Sequence, residues 1–240
     1  MNGNSASPTP IVQAPKEGAG SSASKNGAVP AGPSTRQVQT FFSVMSHSFL
    51  NLETKDGIST GDFLNCCRAI TPVFDVLGPT MFAPAKSDIE GNINKLQTTY
   101  DSAQSSSKYL LDIVRNEQNA GGSFATSSLL WLKRSLEFIH AFLREIHSGT
   151  ENLVRAGEQA YASTLKKYHN WATRGISALA LKAMPRFSTF LRDLAPSPED
   201  WNQPDYRRQL FTDCGDYIVA LDRVLCIINE FYKSSGLDVE

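Results

Sequence analysis

"SFATSSLLWLKRSLEFIHAFLREIHSG", residues 123–149, decides the fold. Leu129, Leu132, Leu136, Ile139, Leu143 and Ile146 recur at steps of three and four, the period of one helical face. Trp131, Phe138 and Phe142 lay a second apolar stripe beside the first. A helix at the surface of a domain needs one such stripe. Two adjacent stripes place this helix in the middle of a bundle.

The flanking sequence carries the same helical period, punctuated by Ser, Thr or Asp caps and by Gly or Pro breaks. Ser34 and Thr35 introduce "RQVQTFFSVMSHSFLNL" as an expected first helix, and Ser59 and Thr60 introduce "GDFLNCCRAITPVFDVLG", in which Pro72 kinks the helix and Gly78 ends it. A third helix contains "SDIEGNINKL" and a short fourth is "SSKYLLDIVRNEQNAGG". After the central fifth, "ENLVRAGEQAYASTLKKYHNWATRGISALALKAM" reads as one long sixth helix ending at Pro185, and "PRFSTFLRDL" and "YRRQLFTDCGDYIVALDRVLCIINEFYKSSG" supply two more. The expectation is all-α: a two-layer sandwich of about eight helices with an aliphatic interior, and no convincing run of strands.

Residues 1–35 are almost wholly Gly, Ser, Ala, Pro and Asn, too poor in large apolar groups to offset the entropy of ordering. They are expected to form a disordered tail ahead of one domain over residues 36–240. With 23 Lys and Arg against 24 Asp and Glu, interleaved in sign, the electrostatic footprint of a nucleic-acid binder is missing. The N-terminus lacks the basic and apolar blocks of a secretory signal, residue 2 is Asn rather than a myristoylatable Gly, and no apolar run approaches the ~20 residues of a membrane span. A cytoplasmic location is therefore expected. Cys66, Cys67, Cys214 and Cys226 show no CxxC spacing and no neighbouring His, which fits buried free thiols rather than a metal or redox centre.

In the third helix Asp88, Asn92 and Lys95 follow i, i+4, i+7 and form one short polar ladder. Ile89, Ile93 and Leu96 lie one step of ~100° away, so the ladder runs along the margin of the buried face. Gly91 beside it costs about 1 kcal/mol relative to alanine in a helix, and close approach by a ligand is one reason to keep it. A surface hydrogen-bond chain from Asp to Asn to Lys is the plainer reading of the same residues. Trp131 fits either core packing or a flat platform for the C–H face of a sugar. His169, on the side of Leu165, Ala172 and Ile176, fits a satisfied core imidazole or a ligand contact. There is no GxSxG, no HExxH and no phosphate-cradling glycine loop, so an enzyme is the weaker reading.

Three segments in order, "KSDIEGNINKL", "LLWLKRSLEFI" and "LKKYHNW", resemble the glycolipid transfer protein family, and "VFDVLGPTMFAPAK" upstream fits the same pattern. The resemblance covers about residues 40–235. It implies a two-layer all-α fold that holds one glycosphingolipid, with the sugar at the surface and the ceramide chains between the layers. Asp88, Asn92 and Lys95 would then hydrogen-bond the sugar, Trp131 would stack on it, and His169 would contact the ceramide amide. Trp171 matches a family tryptophan that docks on membranes, and Lys166 and Lys167 suit an anionic surface. Ser177 stands where relatives often carry an aromatic, and the C-terminal aromatic contact is replaced near Leu237. The resemblance thus implies a non-enzymatic, monomeric, peripheral carrier that needs no cofactor, and Trp131 replaces the arginine of the ceramide-1-phosphate branch, the runner-up. A glycolipid sensor or adaptor is the alternative from another class.

Overall fold

A computed structural model describes residues 37–239. The expected tail and the Ser34–Thr35 start of the first expected helix lie outside the described residues. In chain order the α-helices are α1 (Thr60–Ile70), α2 (Val73–Leu77), α3 (Ala83–Ser102), α4 (Leu110–Asn119), α5 (Phe124–His147), α6 (Leu153–Ser163), α7 (Trp171–Lys182), α8 (Phe187–Asp193), α9 (Pro198–Trp201) and α10 (Tyr206–Ser234). Short 3-10 turns occupy Phe49–Asn51 and Leu165–Lys167. The architecture is an all-α two-layer sandwich, with no strand ladder among the described residues beyond one isolated bridge between Ser59 and Tyr109.

α5 is the central helix. It packs against α3, α6 and α10 and meets α4 near its start. Both sequence stripes are buried: Leu129, Leu132, Leu136, Ile139, Leu143 and Ile146 in one, Phe138 and Phe142 in the other, with only Trp131 left half-buried at the end. At ~1.5–3 kcal/mol for each fully buried large aliphatic or aromatic side chain, this helix is the main hydrophobic anchor of the fold. Its N-terminus is capped from the preceding helix rather than by Ser123, whose side chain makes no capping bond. The Glu117 carboxylate accepts from the Ala125 and Thr126 N–H at 2.8 and 2.7 Å and from the Thr126 hydroxyl at 2.7 Å. Burial pushes that carboxyl up, but the bonds from Thr126, Ala125 and Phe124 outweigh it and hold it below the ordinary carboxylate value.

Three sequence expectations change. Residues 37–51 do not form an α-helix, because their backbone donors are taken elsewhere. The Gln39 N–H goes to Asp200 Oδ1, the Thr40 N–H to Ser43 Oγ and the Phe41 N–H to the Leu194 carbonyl. Pro72 does more than kink its helix: it separates α1 from α2 and caps the latter, and Gly78, at φ +134°, ends it as expected. The long sixth helix is cut into α6 and α7. The Ser163 and Thr164 hydroxyls bond to the Ala160 carbonyl, Thr164 leaves helical geometry, and Asn170 starts α7 by accepting from the Thr173 N–H at 3.0 Å. Cys66, Cys67 and Cys214 are buried free thiols, whereas Cys226 is exposed on α10.

Candidate functional site

α3 presents its ladder to a cavity of about 620 Å³, within the range of small-ligand sites. The cavity lies among α2, α3, α5, α6, α7 and the connection between α6 and α7. Its apolar wall is formed by Phe74, Phe82, Ile89, Phe138, Leu165 and Leu181, with Ile176 at an exposed part of the lining. Asp88, Asn92, Lys95, Trp131, Ser135, Tyr161, Tyr168 and His169 bring polar groups to the lining, with Asn92, Lys95, Tyr168 and His169 beside Trp131 at its polar end, and Asn170, Thr173 and Ser177 line it along the start of α7 and its length. All five residues read as ligand contacts from sequence, Asp88, Asn92, Lys95, Trp131 and His169, line this single cavity.

The ladder is graded from inside to outside. Asn92 is only 4 % exposed, while Asp88 and Lys95 above and below it face solvent. The Asn92 amide donates to the Asp88 carbonyl at 2.9 Å and to its carboxylate at 3.4 Å, which leaves the Asn92 carbonyl oxygen available as an acceptor. The Lys95 ammonium has no partner among the described residues, so the hydrogen-bond chain stops at Asn92. Gly91 does not serve a close approach: a Cβ built there meets nothing within 4 Å, and Gly91 is not on the cavity wall.

Trp131 forms the opposite side. Its ring lies 6.1 Å from the His169 ring at 23°, close to parallel, and 6.3 Å from the Tyr168 ring, edge to face. His169 sits in the turn before α7 rather than on a helix face, and of its expected companions Leu165 and Ile176 line the cavity while Ala172 faces outward. Burial lowers the imidazole pKa from its ordinary 6.5; Asp88 opposes that shift and Arg174 reinforces it. The Tyr161 hydroxyl is 3.0 Å from His169 Nδ1. With Tyr161 as donor, the single proton of the neutral ring is on Nε2, which can donate to a carbonyl.

Beyond Trp131 the site continues into an outer, more open recess of about 560 Å³, bounded by Asn92, Lys95, Ser123, Phe124, Ser127, Ser128 and Trp131. Sequence reading missed it because Ser123 and Ser127 look like ordinary helix-start residues. On the other flank α7 turns apolar side chains outward: Trp171 is 87 % exposed, Leu179 62 % and Ile176 57 %. Lys166 and Lys167 are exposed beside them, with the Lys167 ammonium 4.6 Å from the Tyr168 ring centre. Among the described residues no helix is long and apolar enough to cross a membrane. Ser177 lines the cavity, so a small polar group stands at that point of the wall.

The family model for Glycolipid transfer protein (GLTP) matches residues 58–196. A relative from Danio rerio, Pleckstrin homology domain-containing family A member 8, is 41 % identical over 208 residues, 84 % of this chain and 38 % of the relative. The chain thus spans about two-fifths of the length of such relatives. The Glycolipid transfer protein of Aureobasidium melanogenum is 34 % identical over 203 residues, 81 % of this chain and 94 % of its own length. A solved structure concerning how FAPP2 selects simple glycosphingolipids with the GLTP fold superposes with a TM-score of 0.79, at 37 % identity over 84 % of this chain and 98 % of the other. The chain belongs to the glycolipid transfer protein family.

Proposed function

We propose that the protein is a non-enzymatic carrier that lifts one glycosphingolipid out of a membrane, holds it and releases it to another. The observation that carries this reading is the join of two chemistries in one cavity: a polar end with an indole platform and an apolar chamber directly behind it. A carboxylate and an amide suit sugar hydroxyls, an ammonium adds a donor, and the Trp131 face suits ring C–H groups. The neutral His169 suits the amide carbonyl at the junction of headgroup and chains. Moving ~0.8 kcal/mol per CH₂ from bilayer into chamber, where the same contribution is recovered, leaves transfer near balance, as a shuttle needs.

The outer recess past Trp131 gives room for a second hexose, which supports monohexosyl and dihexosyl ceramides as cargo. A phosphate headgroup is disfavoured. No arginine is among the described residues that line the cavity, and Arg134, beside Trp131, is buried, so the ceramide-1-phosphate reading lacks the planar fork that a phosphate favours. Trp171, Ile176 and Leu179 with Lys166 and Lys167 form the face that rests on the membrane; the carrier domain starts at residue 36 and acts as a monomer from the cytoplasm. Intervesicle transfer of labelled monohexosyl ceramide and ceramide-1-phosphate tests the proposal. Faster movement of the sugar lipid supports it, faster ceramide-1-phosphate overturns the headgroup assignment, and binding without transfer favours a sensor.

A further inference from the structure

α10 does not simply end at Ser234. Gly236 adopts φ +67°, its N–H bonds to the Lys233 carbonyl at 3.2 Å, and the Leu237 N–H reaches back to the Tyr232 carbonyl at 2.9 Å. This is the paired closure that a left-handed glycine makes at a helix C-terminus, and it reverses the chain. Leu237 packs on the core, and the next two residues run back to α5. There the Asp238 carboxylate lies 3.3 Å from Arg134 Nη2 and 3.5 Å from Lys133 Nζ, and the Val239 carbonyl also accepts from Arg134 Nη2.

Arg134 is only 2 % exposed, and a buried cation without a partner carries a large penalty. Among the described residues Asp238 is its ion-pair partner. The guanidinium does not reach the cavity wall. Instead its centre lies 3.4 Å from the middle of the Tyr168 ring and 5.1 Å from that of Trp131. Both rings line the polar end of the cavity, and Trp131 is also the wall shared with the outer recess. A half-buried indole at a cavity mouth recognises a sugar face only if its plane is held, and this cation is what lies behind it.

We propose that residues Gly236–Val239 act as a strap that fixes Arg134 behind the aromatic wall, making Arg134 a positioning residue for headgroup recognition; its consequence for cargo rests on the glycosphingolipid reading above. Asp238 is partly exposed and pairs with Arg134 and Lys133, and its charge also bears on Tyr232, so its replacement removes no apolar side chain from the core.

The test uses the full chain carrying Trp171→Phe and Trp201→Phe, so that Trp131 is the single remaining tryptophan. In lipid-free protein Asp238→Ala should weaken the near-ultraviolet circular dichroism of Trp131, and Asp238→Asn, which keeps an acceptor, should restore part of it. In the otherwise unaltered chain, Asp238→Ala should weaken binding of vesicle-borne monohexosyl ceramide by about 5-fold while leaving sugar-free ceramide unaffected. Arg134→Lys should show the same discrimination, since an ammonium cannot stack flat between two rings. An unchanged Trp131 signal overturns the proposal, as does an equal loss for both lipids, which would mean a merely structural role. If the unaltered protein ignores monohexosyl ceramide, the carrier reading fails, and the Trp131 signal still decides for or against the strap.

Discussion

α5 and α7 line the same cavity and are opposite in kind. α5 buries most of its residues, Lys133 and Arg134 included, and meets four other helices. α7 buries only Ala180 and Leu181, packs mainly on α6, and leaves a tryptophan, an isoleucine and a leucine in solvent. One wall is therefore fixed by the core and can hold a rigid indole, while the other is held by few contacts and can afford to move against a bilayer. On the proposed function, recognition belongs to the first wall and access to the second.

The sharpest way to break that division is to remove a group from the fixed side that does nothing for the core. Asp88→Val should abolish glycolipid transfer while the far-ultraviolet circular dichroism stays unchanged, because the side chain is exposed and its only ladder contact is to Asn92. Transfer at the unaltered rate would remove the ladder from the site. The next effect is on stability. Leu136→Ala on α5 should cost about 2–5 kcal/mol, whereas Leu179→Ala on α7 should fall within about 0.5 kcal/mol of zero, both read by urea unfolding. Similar costs at the two positions would mean that α7 is as much a part of the core as α5.

The two helices also differ in how far the sequence announced them. α5 was legible because apolar residues on two faces at helical spacing admit hardly any other fold role, and the ladder on α3 was legible because it sits one step from the Ile89, Ile93 and Leu96 stripe. The cut between α6 and α7 was not. No glycine or proline stands between residues 158 and 174, and the break is made by Ser163, Thr164 and Asn170 through local bonds that compete with a helix otherwise continuous in pattern. Glu117 as the cap of α5 was hidden because the donor helix and the cap belong to different elements. Arg134 stands in sequence as a basic group about one turn beyond Trp131, and only the fold, which brings residue 238 back across 104 positions, shows its charge already spent on Asp238.

A smaller effect is expected on the access side. Trp171→Ala should reduce partition onto vesicles and transfer rate by about 3- to 10-fold with little change in melting temperature, since a side chain 87 % exposed contributes almost nothing to the core but presents a large amphipathic ring to an interface. Vesicle sedimentation separates this from a recognition defect: binding of soluble, short-chain glycolipid should be unaffected. A loss there as well would place Trp171 on the fixed side of the comparison.

The smallest effect concerns His169, which stands at the joint between the two walls. Burial holds its pKa below the ordinary 6.5, with Asp88 pulling the other way and Arg174 adding to the depression. A depressed value means that the folded state prefers the neutral ring, so the stabilisation is fully present above pH 6.5 and is lost as pH falls through 6.5 toward the folded-state value. His140 on α5 is shifted the same way, by burial first, with Asp222 opposing it and Arg144 reinforcing it, so part of the slope survives without His169. Because His169 is partly solvated, its share is screened and should appear as only a small lowering of melting temperature between neutral and mildly acidic buffer. His169→Gln should flatten that share and leave the rest, and Tyr161→Phe, which removes the hydroxyl 3.0 Å from Nδ1, should alter the same part of the curve. A slope identical in all three proteins would show that the neutral imidazole is not coupled to folding at this joint.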